Sequence, residues 1–366
     1  MRVVLAGAGP AAQRCAEALR AGGHDGPIGM IGAEPHPPYD RPPLSKGGEH
    51  VRLRPAAWYR EHAVALRLGT PLTGLDAAAR EVILAGGERL RYDRLLIATG
   101  ADPIVPPLFA GAANAQALRT IDDALRLRGA LRPGCRLAVV GAGLVGQEVA
   151  STALARGARV TLIDASPAPF DAIVGPALGG WLADLHRKAG VDLRLGVRGA
   201  GAEGHGRMDA LRLSGGGRVP CDHVVVGIGV RPATAWALRE RLVAGPDGRT
   251  ALPGVFAAGD AAGGAHWDAA GRQGAAAGRA MLGRPPAAAA ATVLWSDQHG
   301  VLLQRLGDPR GADRTTLEGD PRERSFALTY ERAGRPVAAV AVGRPGALTA
   351  LRRRLAAAAR PEGMAA

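Results

Sequence analysis

Arg2-Val-Val-Leu-Ala6 runs directly into Gly7-Ala-Gly9-Pro10-Ala11-Ala12 at the start of the chain. The apolar run reads as a buried strand, the glycines as a turn, and residues 11–21 as a helix. Gly7 permits the tight turn, Gly9 lets backbone approach a pyrophosphate, and the helix N-terminus that follows favours negative charge. Ala12 stands where a third glycine would serve helix–strand packing, a place that tolerates alanine. A second strand, Ile28-Gly-Met-Ile-Gly32, leads to Glu34, a carboxylate about 20 residues past the turn and positioned to accept from a ribose diol.

The pattern recurs in fuller form. Arg136-Leu-Ala-Val-Val140 precedes Gly141-Ala-Gly143-Leu144-Val145-Gly146, a helix is expected through Ala155, and Val160-Thr-Leu-Ile163 closes at Asp164. One such fingerprint is a weak signal; two in one chain, each with its strand, helix and terminal acid, point to two dinucleotides. The negative Asp164 opposes a 2′-phosphate, so NADH is expected over NADPH, with Arg159 acting against that preference. Both regions predict parallel sheets covered on both faces.

Composition bounds the rest. The 366 residues carry 46 Lys+Arg against 33 Asp+Glu, a net +13, with 47% hydrophobic and 4% aromatic residues; this is a folded chain of two or three domains. Only Lys46 and Lys188 are lysines. Residues 310–366 hold 11 Arg against 6 acids, but neither clustered cations with stacking aromatics nor a known module supports nucleic-acid binding. The cysteines Cys15, Cys135 and Cys221 lie too far apart for a CxxC pair or a Cys-rich metal site. With no signal peptide and no membrane span in view, a cytoplasmic protein is expected.

Five further segments narrow the reading. Tyr92-Asp-Arg-Leu-Leu-Ile-Ala98-Thr99-Gly100 and Thr250-Ala-Leu-Pro-Gly-Val-Phe-Ala-Ala-Gly259-Asp260 read as strands ending in small-residue turns, and the chain there resembles the two-dinucleotide flavoprotein reductases. Pro38-Tyr-Asp-Arg41-Pro42-Pro43-Leu44-Ser45-Lys46, His266-Trp267 through Gly274, and Trp295-Ser296-Asp297-Gln298 resemble one branch, the FAD- and NADH-dependent ferredoxin reductases of dioxygenase and monooxygenase chains. The likeness runs in order from residue 1 to about 355.

The resemblance implies an α/β fold of two Rossmann-like domains and a C-terminal α+β domain: FAD on residues 1–108 and 230–284, NADH on 109–229, and the last domain from 285. There, Ser325–Tyr330 and Val337–Val342 read as strands and Leu348–Ala359 as a closing helix. For FAD it implies contacts from Gly7, Gly9, Pro10, Ala11, Ala12, Glu34, Arg41, Pro43, Lys46, Ala98, Thr99, Gly100, Gly259, Asp260, His266, Trp267 and Trp295. For NADH it implies Gly141, Gly143, Leu144, Val145, Gly146, Asp164, Gly227 and Gly229.

Lys46 and Glu148 are the expected catalytic pair. A cation near flavin N5 stabilises the negative reduced flavin, and a lysine in a chain that otherwise uses arginine marks a place where a planar guanidinium does not fit. In the family this lysine pairs with the Glu after the second fingerprint, here Glu148. Pro42 and Pro43 form a rigid wall without amide donors, and Trp295 is placed at the partner-docking side of the flavin.

No cysteine stands between positions 16 and 134, so thiol relays at the flavin are excluded and a ferredoxin-type iron–sulfur protein is the expected acceptor. Against the family pattern, Ala265 replaces a Glu, Ile104 an Arg and Ala233 an Asn, and the 232–253 stretch is short. An NADH oxidase or small-molecule reductase of the same fold, or a scaffold that has lost FAD, are the rival readings; a monomer or homodimer is expected.

Overall fold

The computed structural model describes residues 1–237, 242–263, 266–285 and 291–358. They fall into two compact units, one of residues 1–41, 50–102 and 230–289, the other of 42–49, 103–229 and 290–366.

The first unit is built on a five-stranded parallel sheet in the order Val255–Ala257, Arg94–Ile97, Val3–Ala6, Ile28–Ile31, Val64–Arg67. All four residues of Val3–Ala6 are buried, as a central strand with helices or loops on both faces requires. The helix Pro10–Ala21 begins with Gly9 as its N-cap and Pro10 in its first turn, where the missing N–H costs no helical bond. It lies along the helix Trp267–Met281 at very short range: a Cβ on Gly274 would stand 2.0 Å from the Ala11 carbonyl oxygen. A three-stranded antiparallel sheet, Leu72–Asp76, Glu81–Leu84 and Arg89–Arg91, completes the unit.

The second unit repeats the plan. Its parallel sheet runs Asp192–Leu195, Arg159–Asp164, Arg136–Val140, His223–Val226, Ala115–Ala117, and the helix Leu144–Ala155 follows the glycine turn. From Val293 to Val342 the chain forms a five-stranded antiparallel sheet, Val293–Gln298, Val301–Gly307, Arg335–Val342, Ser325–Arg332, Arg314–Asp320. One face of it packs on Val174, Leu178, Leu182 and Leu185 of the helix Asp171–Ala189. The other takes Leu351 and Leu355 of the closing helix Ala347–Ala358. Ala359, expected to end that helix, lies outside the described residues. Among the described residues no helix is long and apolar enough to cross a membrane.

Candidate functional site

Each glycine turn is shaped by a carbonyl passing beneath it. Gly7 sits at φ +125°, and a Cβ there would stand 2.1 Å from the Ala98 oxygen; Gly141, at φ +108°, has the Gly227 oxygen 2.3 Å from the same point. Both positions therefore exclude any side chain. Gly9 differs: a Cβ would meet nothing within 4 Å, and at Gly143 the nearest atom is 4.0 Å away. Open space thus lies over two helix N-termini whose first amides have no helical acceptor, Ala11 and Ala12 in one and Leu144, Val145 and Gly146 in the other. Open space facing unpaired amides is the cradle a pyrophosphate needs.

The terminal acids are held differently. Glu34 accepts from the Tyr39 hydroxyl and from Arg41 Nη2, each at 2.7 Å and each on its own oxygen. Asp164 accepts from main-chain amides, Ala142 on one oxygen and Ser166 at 2.7 Å on the other. A carboxylate offers about four lone-pair sites, so both retain capacity for a ribose diol.

Around the first turn, Thr99 Oγ1 donates to the Ala233 carbonyl at 2.6 Å, and the Ala233 amide donates to Gly100 at 3.0 Å. The main chain of residue 233 thus ties down the Ala98-Thr99-Gly100 turn without a side chain. Gly259 donates its amide to Gln273 Oε1 at 2.8 Å and begins the short 3₁₀ turn Gly259–Ala262, in which Asp260 is the second residue. His266 is the N-cap of the helix that Trp267 begins. A pocket lined by Pro10, Arg14, Trp267, Asp268 and Arg272 opens beside the first glycine helix. In the second unit, Gly229 at φ +125° is exposed and accepts the Ile104 amide at 3.0 Å. Ala265 lies outside the described residues.

Pro42–Leu44 form a 3₁₀ turn, and the whole segment 42–49 belongs to the second unit. That brings Lys46 to Glu148: Nζ donates to Oε1 at 2.7 Å, with Glu148 only 3% exposed. Two hydroxyls converge on the same carboxylate, Ser296 at 2.6 Å on Oε1 and Ser45 on Oε2. Every partner donates, so the site is shaped for a carboxylate anion. Thr152, one turn along the Glu148 helix, donates to the Ser45 carbonyl at 2.9 Å and fixes the lysine loop to that helix. Ser296 is one residue from Trp295 on the strand Val293–Gln298, where Trp295 is half-buried.

Ser45 and Ser296 carry no role in the sequence reading, although both lie inside quoted motifs. Their neighbours Lys46 and Trp295 drew the attention, and a serine in a loop or strand has no spacing that marks it. All three cysteines are buried, and burial raises each thiol above its ordinary range. Among the described residues no cluster of His, Cys, Asp and Glu could hold a metal ion.

Comparison with known proteins places this geometry. The family model described as pyridine nucleotide-disulphide oxidoreductase matches residues 1–274, and that described as reductase C-terminal matches residues 293–366. The ferredoxin–NAD(+) reductase component of the anthranilate 1,2-dioxygenase system of Burkholderia cepacia is 37% identical, covering 98% of this chain and 95% of that protein. The corresponding component of the p-cumate 2,3-dioxygenase system of Pseudomonas putida is 35% identical over 89% of this chain and 86% of its own length. Among solved structures, the covalent putidaredoxin reductase–putidaredoxin complex superposes with a TM-score of 0.92 at 31% identity, covering 97% of this chain and 92% of that one.

Proposed function

The chain belongs to the pyridine nucleotide-disulphide oxidoreductase family and carries its reductase C-terminal domain, and on that premise we propose that it moves hydride from NADH to FAD and single electrons onward to a ferredoxin-type iron–sulfur protein serving an oxygenase. The observation that carries this reading is the likeness to oxygenase-system ferredoxin reductases over 98% of the chain, in a molecule whose flavin-fingerprint region lacks a reactive thiol. Despite the family's name, Cys15 is wholly buried and no other cysteine precedes residue 135. Electrons therefore leave the flavin without a disulfide relay.

FAD is assigned to residues 1–108 and 230–284, with Gly9, Ala11 and Ala12 facing the pyrophosphate and Glu34 the ribose; Asp260, His266 and Trp267 are assigned the remainder. NADH is assigned to 109–229 through Gly143, Leu144, Val145, Gly146 and Asp164. FAD held there would supply hydride acceptance and one-electron release. Lys46 supplies a positive charge that favours the anionic reduced form, and Glu148 fixes where that ammonium stands. Glu148 would cost several kcal/mol to bury alone; two hydroxyls and the ammonium hold it in place.

Oxygenase-system ferredoxins are commonly acidic, so positive surface steers encounter. Several C-terminal arginines are already matched locally, Arg310 with Asp308, Arg322 with Asp320 and Arg354 with Glu318, and such exposed pairs screen readily. Arg352 and Arg353, exposed on the closing helix, carry charge that no ion pair among the described residues offsets in this way. The three unpaired, buried cysteines suit a reducing cytoplasm.

The test is anaerobic reduction of the purified yellow protein by NADH and by NADPH, then cytochrome c reduction with a ferredoxin at low and high salt. NADH should bleach the flavin faster than NADPH, ferredoxin should accelerate cytochrome c reduction, and salt should slow it. Oxygen consumption that equals the ferredoxin-supported rate would make the chain an oxidase. A colourless protein that refuses added FAD would make it a binding scaffold.

A further inference from the structure

Behind Ser296 lies a line of buried polar groups that hydride and electron transfer do not require. Gln298 Nε2 donates to Ser296 Oγ at 3.0 Å, and Gln298 is 4% exposed. Its Oε1 stands 3.2 Å from Nε2 of His186, a residue with no exposure at all. Gln147, next to Glu148 in sequence and equally buried, places its own Oε1 3.3 Å from the same ring nitrogen. On the other side of the ring, His186 Nδ1 is 2.9 Å from Nε2 of His299.

The proton positions along this line follow from its ends. Gln147 Nε2 donates to the Ala142 carbonyl at 2.9 Å, which can only accept, so its oxygen faces His186. Gln298 faces His186 with oxygen as well, because its nitrogen serves Ser296. Two acceptors on His186 Nε2 make that nitrogen the protonated one, and Nδ1 must then accept from His299 Nε2–H. Every bond in the chain His299, His186, Gln298, Ser296 therefore donates in one direction, toward Glu148. Burial pushes His186 down to about 4, with His299 beside it acting the same way, so the neutral ring this order needs is kept through neutral pH.

The backbone shows a matching cost. His299 occupies a left-handed conformation at φ +49° in the two-residue turn with Gly300 that joins Val293–Gln298 to Val301–Gly307. Asn or Gly is the usual choice there, and strain of this kind persists where the surroundings hold it. Here the His299 amide donates to Ser151 Oγ at 2.8 Å on the Glu148 helix, and the ring reaches His186.

We propose that His186 is a positioning residue for hydride transfer: through Gln298 and Ser296 it fixes the Glu148 carboxylate and hence the Lys46 ammonium. The proposal rests on the reading of Lys46 as the charge that stabilises reduced flavin. It assigns the histidine no proton transfer. An amide lies between it and Ser296, and what passes along the line is orientation. Without the His186 donor, two amide oxygens lose their partner in a buried place, and a rotated Gln298 would turn an oxygen, not an N–H, toward Ser296.

The experiment compares His186→Phe, which keeps a ring but no donor, with His186→Gln, whose amide can both donate to the two glutamines and accept from His299. In holoenzyme with full flavin content, His186→Phe is expected to slow the limiting rate of flavin reduction by NADH about tenfold with little change in apparent NADH affinity, as a misplaced charge does. His186→Gln should recover most of the rate. Ser296→Ala, the loss of one buried hydroxyl, should slow the rate similarly, and the double variant should be no slower than either, since both cut one line. If His186→Phe does not fold with flavin, Gln298→Leu, which cuts the link between His186 and Ser296, takes its place and should slow reduction similarly.

A readout independent of turnover is the tautomer: ¹⁵N-histidine spectra at pH 7 should show His186 protonated on Nε2 and bare on Nδ1. An Nδ1–H tautomer, a parental reduction rate in flavin-replete His186→Phe or Ser296→Ala, or additive losses in the double variant would overturn the proposal. Lys46→Met separates the two levels. If it is slow while His186→Phe is not, only the positioning role falls; if Lys46→Met reduces at the parental rate, the reading of the lysine falls and takes the positioning role with it.

Discussion

The two glycine turns solve one packing problem in different places. In the second, a Cβ on Gly146 would stand 1.9 Å from the Gly141 carbonyl oxygen, so the third glycine of the fingerprint is sterically required. In the first, the corresponding position is Ala12, wholly buried with its methyl in place. The close approach has moved to the far side of that helix, where Gly274 meets the Ala11 oxygen and Gly278 the Cys15 oxygen, at Cβ distances of 2.0 and 2.8 Å. A fingerprint glycine thus marks where one helix must come nearest its neighbours, and the neighbour differs: the turn itself in the second unit, a second helix in the first.

The sharpest way to break this comparison is to exchange the residues. Gly146→Ala drives a methyl into a main-chain oxygen that cannot rotate away, and should destabilise the second unit by about 3 kcal/mol. Ala12→Gly removes a buried methyl and adds helix entropy, a loss of about 1–2 kcal/mol. Urea unfolding followed by circular dichroism measures both. Equal effects would mean that the two turns pack alike.

What the sequence disclosed follows the same division. Both fingerprints, their strands and terminal acids are legible because each needs specific residue types at fixed spacing over a short stretch. The Lys46–Glu148 contact joins positions 102 apart, and no periodicity reports it; it entered through family likeness. Ser45, Ser296 and Gln298 stood in plain view within recognised motifs, yet their function depends on a carboxylate reached only by tertiary folding. His186 gave no signal, since a histidine on an apolar helix reads as packing until its ring nitrogens are seen against two amide oxygens.

A second contrast concerns the strand that flanks each glycine strand. Opposite Val3 the register places Arg94, half-buried at the rim; opposite Leu137 it places His223, buried and 3.2 Å from Gln116 Oε1. Burial, with Arg207 and Arg126 nearby, pushes His223 down to about 4. Because the folded value lies below the unfolded one of about 6.5, the unfolded chain takes up the proton first. Stability is therefore complete above about pH 6.5 and is lost as pH falls toward 4. Between pH 7 and 5 this histidine alone should cost the second unit about 2 kcal/mol. The His223→Gln variant should lose that much less over the same interval in denaturant titrations; parallel losses in parent and variant would assign the acid sensitivity elsewhere.

The smallest expected effect tests the two terminal acids against each other. Glu34 is braced by side chains, Tyr39 and Arg41, whereas Asp164 is braced by the amides of Ala142 and Ser166. With an arginine beside it, the Glu34 charge is partly offset. Among the described residues no ion pair softens the field of Asp164, so it should oppose a 2′-phosphate more strongly. Asp164→Asn keeps an oxygen for the Ala142 amide at the glycine turn, gives up the acceptor of the Ser166 amide and removes the charge, so the glycine turn should hold and the preference should change. The ratio of kcat/KM for NADH over NADPH should fall about tenfold, near 1.4 kcal/mol of discrimination. Glu34→Gln should leave that ratio where it was and loosen flavin retention instead. If Glu34→Gln shifted the nucleotide ratio and Asp164→Asn did not, the assignment of the two fingerprints to their dinucleotides would have to be reversed.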